Sequence, residues 1–408
     1  MTKLEKMLKY VAEHNEFYKN RIKEYCIRDP LDITQWPVLT RKELQENRYN
    51  MFSDGYMTKY SNQQLHRQSS SGSSGIPVNT YWDYKDWYAS SMSLWRKRMQ
   101  WYEIKPSDKG VLLSLSAFNL KTKSDMIYYV TEPSNMLYVN ISLVQNEIQY
   151  VQLLKLINSF APSWLYIQPF MLDSLVRKYK QYGLIPPKSL RYIESYGEIL
   201  SFDVRTRASS FFNIPIVNMY GAEEIGAIAF ESKENHMCVL EDNVYVEIKN
   251  NNVICSEGKG ELLATSLNNH SMPLIRYSLG DSGEVCRRVI SEKSLMEIVT
   301  ISGRTVDTIK LENDQEINAI LLMELITEAN NLFNDCIIDY KYNYCANNKK
   351  LVCNIVMDTN TVSWFHNVKN TIESIFYNKL IHHSIDFQVV LNKPSSFMHC
   401  KNRILELS

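Results

Sequence analysis

The sequence predicts an α/β protein: a large N-terminal part with parallel and mixed sheets, a small β subdomain, and a small α+β module at the C-terminal end. Three observations predict it. Between Gly110 and Tyr220, short apolar runs alternate with segments of helical period, the signature of a parallel sheet with crossover helices. Near Glu231 the texture changes to alternating residues between Asn/Gly turns, which reads as antiparallel β. Beyond Arg304, about 100 residues carry their own helices and strands, enough for a separate module.

The elements follow in order. Leu4, Met7, Leu8, Val11, Phe17 and Tyr18 recur near helical spacing over Leu4–Tyr25, with charge on the other face. Pro30 and Pro37 break that pattern, and Thr40-Arg-Lys-Glu43 reads as a capping box opening a short helix. A helix is expected from Asp83 through Trp101. Strands are expected at Gly110–Leu115, Trp164–Ile167, Leu190–Ile193 and Ile216–Tyr220. Helices are expected at Ile148–Phe160, Pro169–Tyr182 and Val204–Phe212. The β subdomain takes Val244–Ile248, Val253–Cys255, Gly260–Thr265 and Gly283–Cys286, with Asn250-Asn-Asn252 as a hairpin tip. In the last module, helices are expected at Asn318–Asn331 and Ser363–Asn378. Its strands are expected near Ile337–Tyr344, Lys350–Met357 and Asp386–Leu391.

Composition excludes several classes. The 408 residues carry 45 basic and 45 acidic side chains, so a nucleic-acid binder relying on bulk charge is not expected. There is no apolar run of about 18 residues, so no membrane insertion is expected. Met1–Tyr25 mixes Lys and Glu and lacks the apolar stretch of a signal peptide. The 8 cysteines are scattered with no CxxC, which suits a reduced, cytoplasmic protein.

Five stretches carry chemistry. Ser69–Pro77 is rich in serine and glycine, a composition suited to cradling phosphate, although no Walker lysine closes it. Tyr220-Gly-Ala-Glu-Glu-Ile-Gly226 follows a strand, and its acids suit Mg2+ beside phosphates. Pro273-Leu-Ile-Arg-Tyr-Ser-Leu-Gly-Asp281 ends a glycine turn in an acid placed to hold both hydroxyls of a ribose. Ser302-Gly-Arg-Thr-Val-Asp307 comes next. Cys400-Lys-Asn-Arg403 offers Lys401 as a cation near the terminus. Ser232, His236, Cys238 and Cys255 make an incomplete set for zinc.

In this order and at these separations, the stretches resemble the adenylate-forming superfamily, closest to phenylacetate–CoA ligases and their capsule-biosynthesis relatives. Ser70–Pro77 is similar to the SSGTTGxP loop, with serines for both threonines. Tyr196-Gly197-Glu198 falls in the GGEPL-like turn, and Tyr220-Gly-Ala-Glu-Glu224 is similar to YGxTE. Gly260–Thr265 through Asp281 follows GELVVT…MPLIRYxxGD, and Gly303, Arg304 and Asp307 follow GRxxD. Lys401 sits where a C-terminal GKxxR lysine falls. Four departures stand out: Glu223 for Thr or Ser, Val306 at the hinge position, Asn313 for glycine, and Cys400 for glycine. They bear on the transfer step more than on nucleotide binding.

The resemblance implies an AMP-forming acid ligase. It divides the chain into an adenylation domain at 1–303 and a mobile lid domain at 304–408. ATP and a carboxylic acid, aryl or acyl, would give acyl-AMP and pyrophosphate. The acyl group would pass to a thiol, CoA or a phosphopantetheinyl carrier protein, or to an amine or hydroxyl. It assigns Ser70, Ser71, Gly72, Ser73, Ser74 and Gly75 to the phosphates, with Mg2+ on Glu224 beside Glu223. Gly197, Glu198, Tyr220 and Gly221 are assigned to the adenine side. Asp281 and Arg304 go to the ribose, Lys401 to adenylation, and Trp82, Phe118, Ser195 and Tyr196 to the acyl pocket. Tyr84, Trp87 and Tyr88 add aromatics beside it. The alternatives are a catalytically impaired nucleotide-binding scaffold or regulator of the same fold, and an ordinary kinase or ATPase.

Overall fold

The computed structural model describes the chain apart from residues 70–77, 115–126, 132–134, 145–146, 291–292, 305–308, 311–315, 318, 334–335, 358, 380–384, 393–403 and 408. The chain splits into two compact units. The first comprises Met1–Ser114, Asp125–Asn140 and Asn146–Ile301; the second is mainly Ser302–Ser408.

The first unit opens with α1 (Lys3–His14) and α2 (Glu16–Glu24), where the sequence pattern reads as one helix. Asn15 divides them. Its side chain caps α2 and, fully buried, donates to the Met51 carbonyl at 2.9 Å. Thr40 and Glu43 form the expected capping box on α3 (Arg41–Glu46), and α4 (Tyr56–Ser61) follows. β1 (His66–Ser69) and β2 (Asn79–Trp82) pair antiparallel, and Asp83 caps the long α5 (Tyr84–Tyr102).

Then come β3 (Gly110–Ser114), β4 (Tyr128–Thr131), β5 (Met136–Asn140), α6 (Glu147–Phe160) and β6 (Trp164–Ile167). They are followed by α7 (Pro169–Gln181), β7 (Tyr192–Tyr196), α8 (Phe202–Phe212), β8 (Ile216–Ala222) and β9 (Gly226–Glu231). The β subdomain adds β10 (Met237–Val239), β11 (Val244–Asn250), β12 (Val253–Cys255), β13 (Gly258–Ser266), β14 (Tyr277–Ile290) and β15 (Lys293–Arg304). Strand β7 lies two residues later than the apolar pattern places it, because Glu194 is carried into the interior as part of an ion pair.

One sheet runs β12-β11-β13-β14-β15-β10-β9-β8-β7-β6-β3-β5-β4. Its parallel stretch is β5-β3-β6-β7-β8, and β9 turns antiparallel onto β8. The order reverses at β3, since the chain goes outward to β5 and returns on the other side at β6. Such a switch point opens a crevice at the carboxyl ends of the strands, where open α/β sheets take ligands. Trp164, Tyr192, Val217 and Phe230 pack with Leu94 of α5 on one face. Strand alternation therefore turns Leu165, Ile193 and Ile216 to the other face, which α7 and α8 cover.

The second unit has a hairpin of β16 (Ile309–Lys310) and β17 (Glu316–Ile317), then α9 (Ala319–Leu332), β18 (Ile337–Cys345), β19 (Lys350–Met357), α10 (Phe365–Lys379), β20 (Asp386–Leu391) and β21 (Ile404–Leu407). Its sheet order is β20-β19-β18-β21. Leu325, Ile326, Val368, Ile372 and Phe376 from the helices join Leu351, Ile355 and Phe387 in one core. Among the described residues, no helix is long and apolar enough to cross a membrane.

Candidate active site

The turn between β8 and β9 carries Glu223 and Glu224. Gly221 lets its arms close, for a Cβ there would stand 2.6 Å from the Gly226 carbonyl oxygen. Glu224 is buried, and its Oε1 accepts from Arg41 Nη1 at 2.7 Å and from the Tyr277 hydroxyl at 3.2 Å. Leu39 explains the convergence. It bridges in parallel to Tyr277, with Leu39 N–H donating to the Arg276 carbonyl at 3.0 Å and Ser278 N–H to the Leu39 carbonyl at 2.9 Å. Arg41, two residues on, reaches the same carboxylate as Tyr277. Burial, and then the charge of Glu224, push the Tyr277 phenol well up, so it stays a donor to the acid. Glu224 Oε2 accepts no hydrogen bond among the described residues. A single acid with one oxygen left over suits Mg2+, which keeps waters and uses one or two carboxylates beside phosphates.

Asp281 sits in a bulge rather than a free turn. Leu263 pairs with Ser278 and Glu261 with Ser282, so Leu279, Gly280 and Asp281 all lie opposite Leu262. Gly280 takes φ +73° there. The Tyr220 hydroxyl donates to Asp281 Oδ2 at 2.7 Å, across 61 residues of sequence. Two of the predicted nucleotide residues thus meet directly.

The end of β7 divides its predicted residues. Tyr192, Glu194 and Tyr196 face α5, whereas Ser195 lies on the opposite face. Tyr196 stacks on Tyr166 with ring centroids 3.9 Å apart. Burial, then the charges of Glu223 and Glu198, raise its phenol, so both acids act on the same ring. Beneath this pair, Arg98 and Glu194 form a buried bidentate ion pair at 2.8 and 2.7 Å, and the Tyr192 hydroxyl donates to the same acid at 2.7 Å. Gly197 follows with φ +80° and lies against the Gln168 side chain.

Other predicted positions fall differently. Trp82 is fully buried, edge-on to Trp87 at 5.7 Å, and serves as core. Tyr84 and Tyr88 are 50% and 65% exposed. β1 and β2 pair up to Ser69 and Asn79. Ser70, Ser71, Gly72, Ser73, Ser74, Gly75, Phe118, Asp307 and Lys401 lie outside the described residues, as does the side chain of Arg304.

Sequence reasoning missed Arg41, Tyr277 and the Arg98–Glu194 pair as parts of this region. The capping box at Thr40 marks where Arg41 sits, but nothing local ties it to a residue 183 positions away. Arg276, inside a predicted motif, proves a strut: its guanidinium holds Glu247 at 2.9 and 2.6 Å and the Trp36 carbonyl at 2.8 Å.

No protein-family model matches the chain. The solved structure of 2-hydroxyisobutyryl-CoA ligase in the postadenylation state with 2-HIB-AMP superposes with a TM-score of 0.76, covering 99% of this chain and 88% of that one at 17% identity. The anthranilate CoA ligase AuaEII with anthranoyl-AMP gives a TM-score of 0.55, covering 83% and 64% at 12% identity. The fold is therefore that of the adenylate-forming acid–CoA ligases. Among curated proteins, the chain is similar to Protein CapK of Staphylococcus aureus, 24% identical over 315 residues, 75% of this chain and 67% of that protein.

Proposed function

We propose that this protein activates a carboxylic acid with ATP, forming an acyl-AMP and releasing pyrophosphate, then passes the acyl group to an acceptor. The single observation that supports this best is the Tyr220–Asp281 hydrogen bond, which joins two motifs of the resemblance beside the Glu224 turn. An AMP-forming ligase of the phenylacetate–CoA ligase type is the reading these motifs favour. The acceptor is a thiol of CoA or a phosphopantetheinyl carrier, or an amine or hydroxyl group.

A carboxylate is a poor electrophile. Its oxygen attacks the α-phosphorus of ATP, the bond to the bridging oxygen breaks, and pyrophosphate leaves with that electron pair. The protein's part in such a transfer is positioning and charge stabilisation. Asp281 would accept from the ribose hydroxyls, with Tyr220 fixing its carboxylate. Arg304 acts near the ribose or phosphate, and Gly197, Glu198 and Gly221 border the adenine. Ser70–Gly75 donate hydrogen bonds to the phosphates. Glu224 would hold Mg2+, which supplies charge neutralisation at the phosphates. Arg41 orients the Glu224 carboxylate through its 2.7 Å contact. Lys401 would stabilise the attacking carboxylate and the pentavalent centre.

The test is exchange of labelled pyrophosphate into ATP that depends on an added carboxylic acid, over a broad acid panel. Phosphate release without any acid would point instead to an ATPase. ATP binding with neither reaction would point to a scaffold.

Two substitutions test the assignment. Asp281→Ala removes the acceptor for both ribose hydroxyls and for Tyr220. Charge-assisted hydrogen bonds are worth about 1.5–3 kcal/mol each, so calorimetry should find AMP bound tens-fold more weakly or worse. An unchanged dissociation constant removes Asp281 from the site. The second compares the paired acids. Glu224→Gln should lower the Mg2+-dependent exchange rate far more than Glu223→Thr, because Arg41 and Tyr277 orient Glu224. The reverse ranking would show that the metal position lies at Glu223.

A further inference from the structure

Gln168 stands directly after β6, at the carboxyl end of the strand that borders the switch point of the parallel sheet. Its residue is only 4% exposed. It occupies the N-cap of α7, yet its side chain makes no capping hydrogen bond, and no other partner exists for it among the described residues. The amide instead lies against Gly197, whose added Cβ would stand 3.2 Å from Gln168 Nε2. Beside it, Ile167 pairs in register with Ser195. Ser195 is fully buried, and its Oγ has no hydrogen-bond partner among the described residues. Buried amides and hydroxyls are rarely left unpaired, because each keeps the full cost of leaving water. Ser195 Oγ is such a group, and the Gln168 side chain, largely buried and with no hydrogen-bond partner among the described residues, stands beside it at the adjacent strand end; in the crevice where this sheet type takes ligands, the pair points to a ligand that completes them.

We propose that Gln168 and Ser195 read a hydrogen-bonding substituent on the carboxylic acid. The substrate is then a hydroxyl- or amide-bearing acid rather than a plain hydrocarbon or phenyl acid. This deepens the acid-activation reading above and rests on it. Glutamine and serine each donate and accept, so a hydroxyl or an amide satisfies both. An acid lacking that group leaves both side chains unpaired in the closed complex. Sites built to hydrogen-bond a substrate group discriminate strongly against the analogue without it.

The experiment uses the full chain with ATP, Mg2+ and matched pairs of acids: lactate against isobutyrate, 4-hydroxyphenylacetate against 4-methylphenylacetate, and N-acetylglycine against pentanoate. Pyrophosphate exchange should favour the polar member of at least one pair by about tenfold to a hundredfold, the range set by one unpaired buried group. Gln168→Leu should remove that preference through the KM for the polar acid, and Ser195→Ala should reduce it. Calorimetry should find AMP affinity unchanged in both variants, which separates acid recognition from a structural defect. Equal exchange with both members of every pair, or a preference that survives Gln168→Leu, overturns the inference and leaves acid activation standing. If ATP binds and no acid of either set supports exchange, acid activation fails and the inference falls with it.

Discussion

Lys401→Ala should depress carboxylate-dependent pyrophosphate exchange by about 10²–10³-fold, the usual worth of one preorganised charge at a transition state. The expectation comes from the Cys400-Lys-Asn-Arg403 stretch, in which Lys401 stands seven residues before Ser408. The lysine is assigned to the adenylation step alone. Two further readouts therefore define the result. ATP binding by calorimetry should be almost unchanged, since Tyr220 and Asp281 belong to the large unit. Acyl transfer from separately supplied acyl-AMP should survive. Exchange equal to wild type would make Lys401 an ordinary solvated side chain and end the reading of the small unit as a catalytic lid. Equal loss in both half-reactions would instead show a general defect in that unit.

Arg98→Met should destabilise the large unit by about 3–5 kcal/mol, the cost of leaving one partner of a buried ion pair without its counter-charge. Glu194 is fully buried, and Arg98 fills its two oxygens. The guanidinium is sandwiched by aromatics as well, with its central carbon 4.5 Å from the Trp95 ring and 4.9 Å from that of Trp164. Six of the seven tryptophans belong to the large unit, so tryptophan fluorescence follows its unfolding in urea. The midpoint should fall sharply. The double variant Arg98→Met/Glu194→Gln should recover much of the loss, because no charge is then left unpaired. A single variant within about 1 kcal/mol of wild type would mean that the carboxyl is neutral or hydrated without Arg98.

Local chemistry made most elements legible. Thr40 and Glu43 announce α3, Asp83 announces α5, and Pro169 opens α7, because caps and first-turn residues act over three or four positions. The strands β3, β6 and β8 announce themselves as apolar runs buried between helices. Other elements were hidden for identifiable reasons. Asn15 reads as a polar position within one helix, yet it splits two because its amide is satisfied by Met51, 36 residues away. The long strands β14 and β15 carry Arg287, Arg288 and Glu297, which blur the apolar alternation. Their pairing, and not their composition, makes them strands.

The sequence alone determined the α/β class, the order of most of the helices and of the strands β3, β6, β7 and β8, and the motif positions Glu224, Tyr220 and Asp281. All of these are written in residue type and short spacing. Only the tertiary structure decided what those residues touch. It joined Tyr220 to Asp281, gave Glu224 to Arg41 and Tyr277, and turned Ser195 away from Tyr196 across β7. It also left Gln168, largely buried at the switch point, without a side-chain hydrogen-bond partner among the described residues. The physical reason is range. Caps and periodicity are settled within a turn or two of chain, whereas an ion pair between residues 183 positions apart exists only once the fold has brought helix α3 and the β8–β9 turn together.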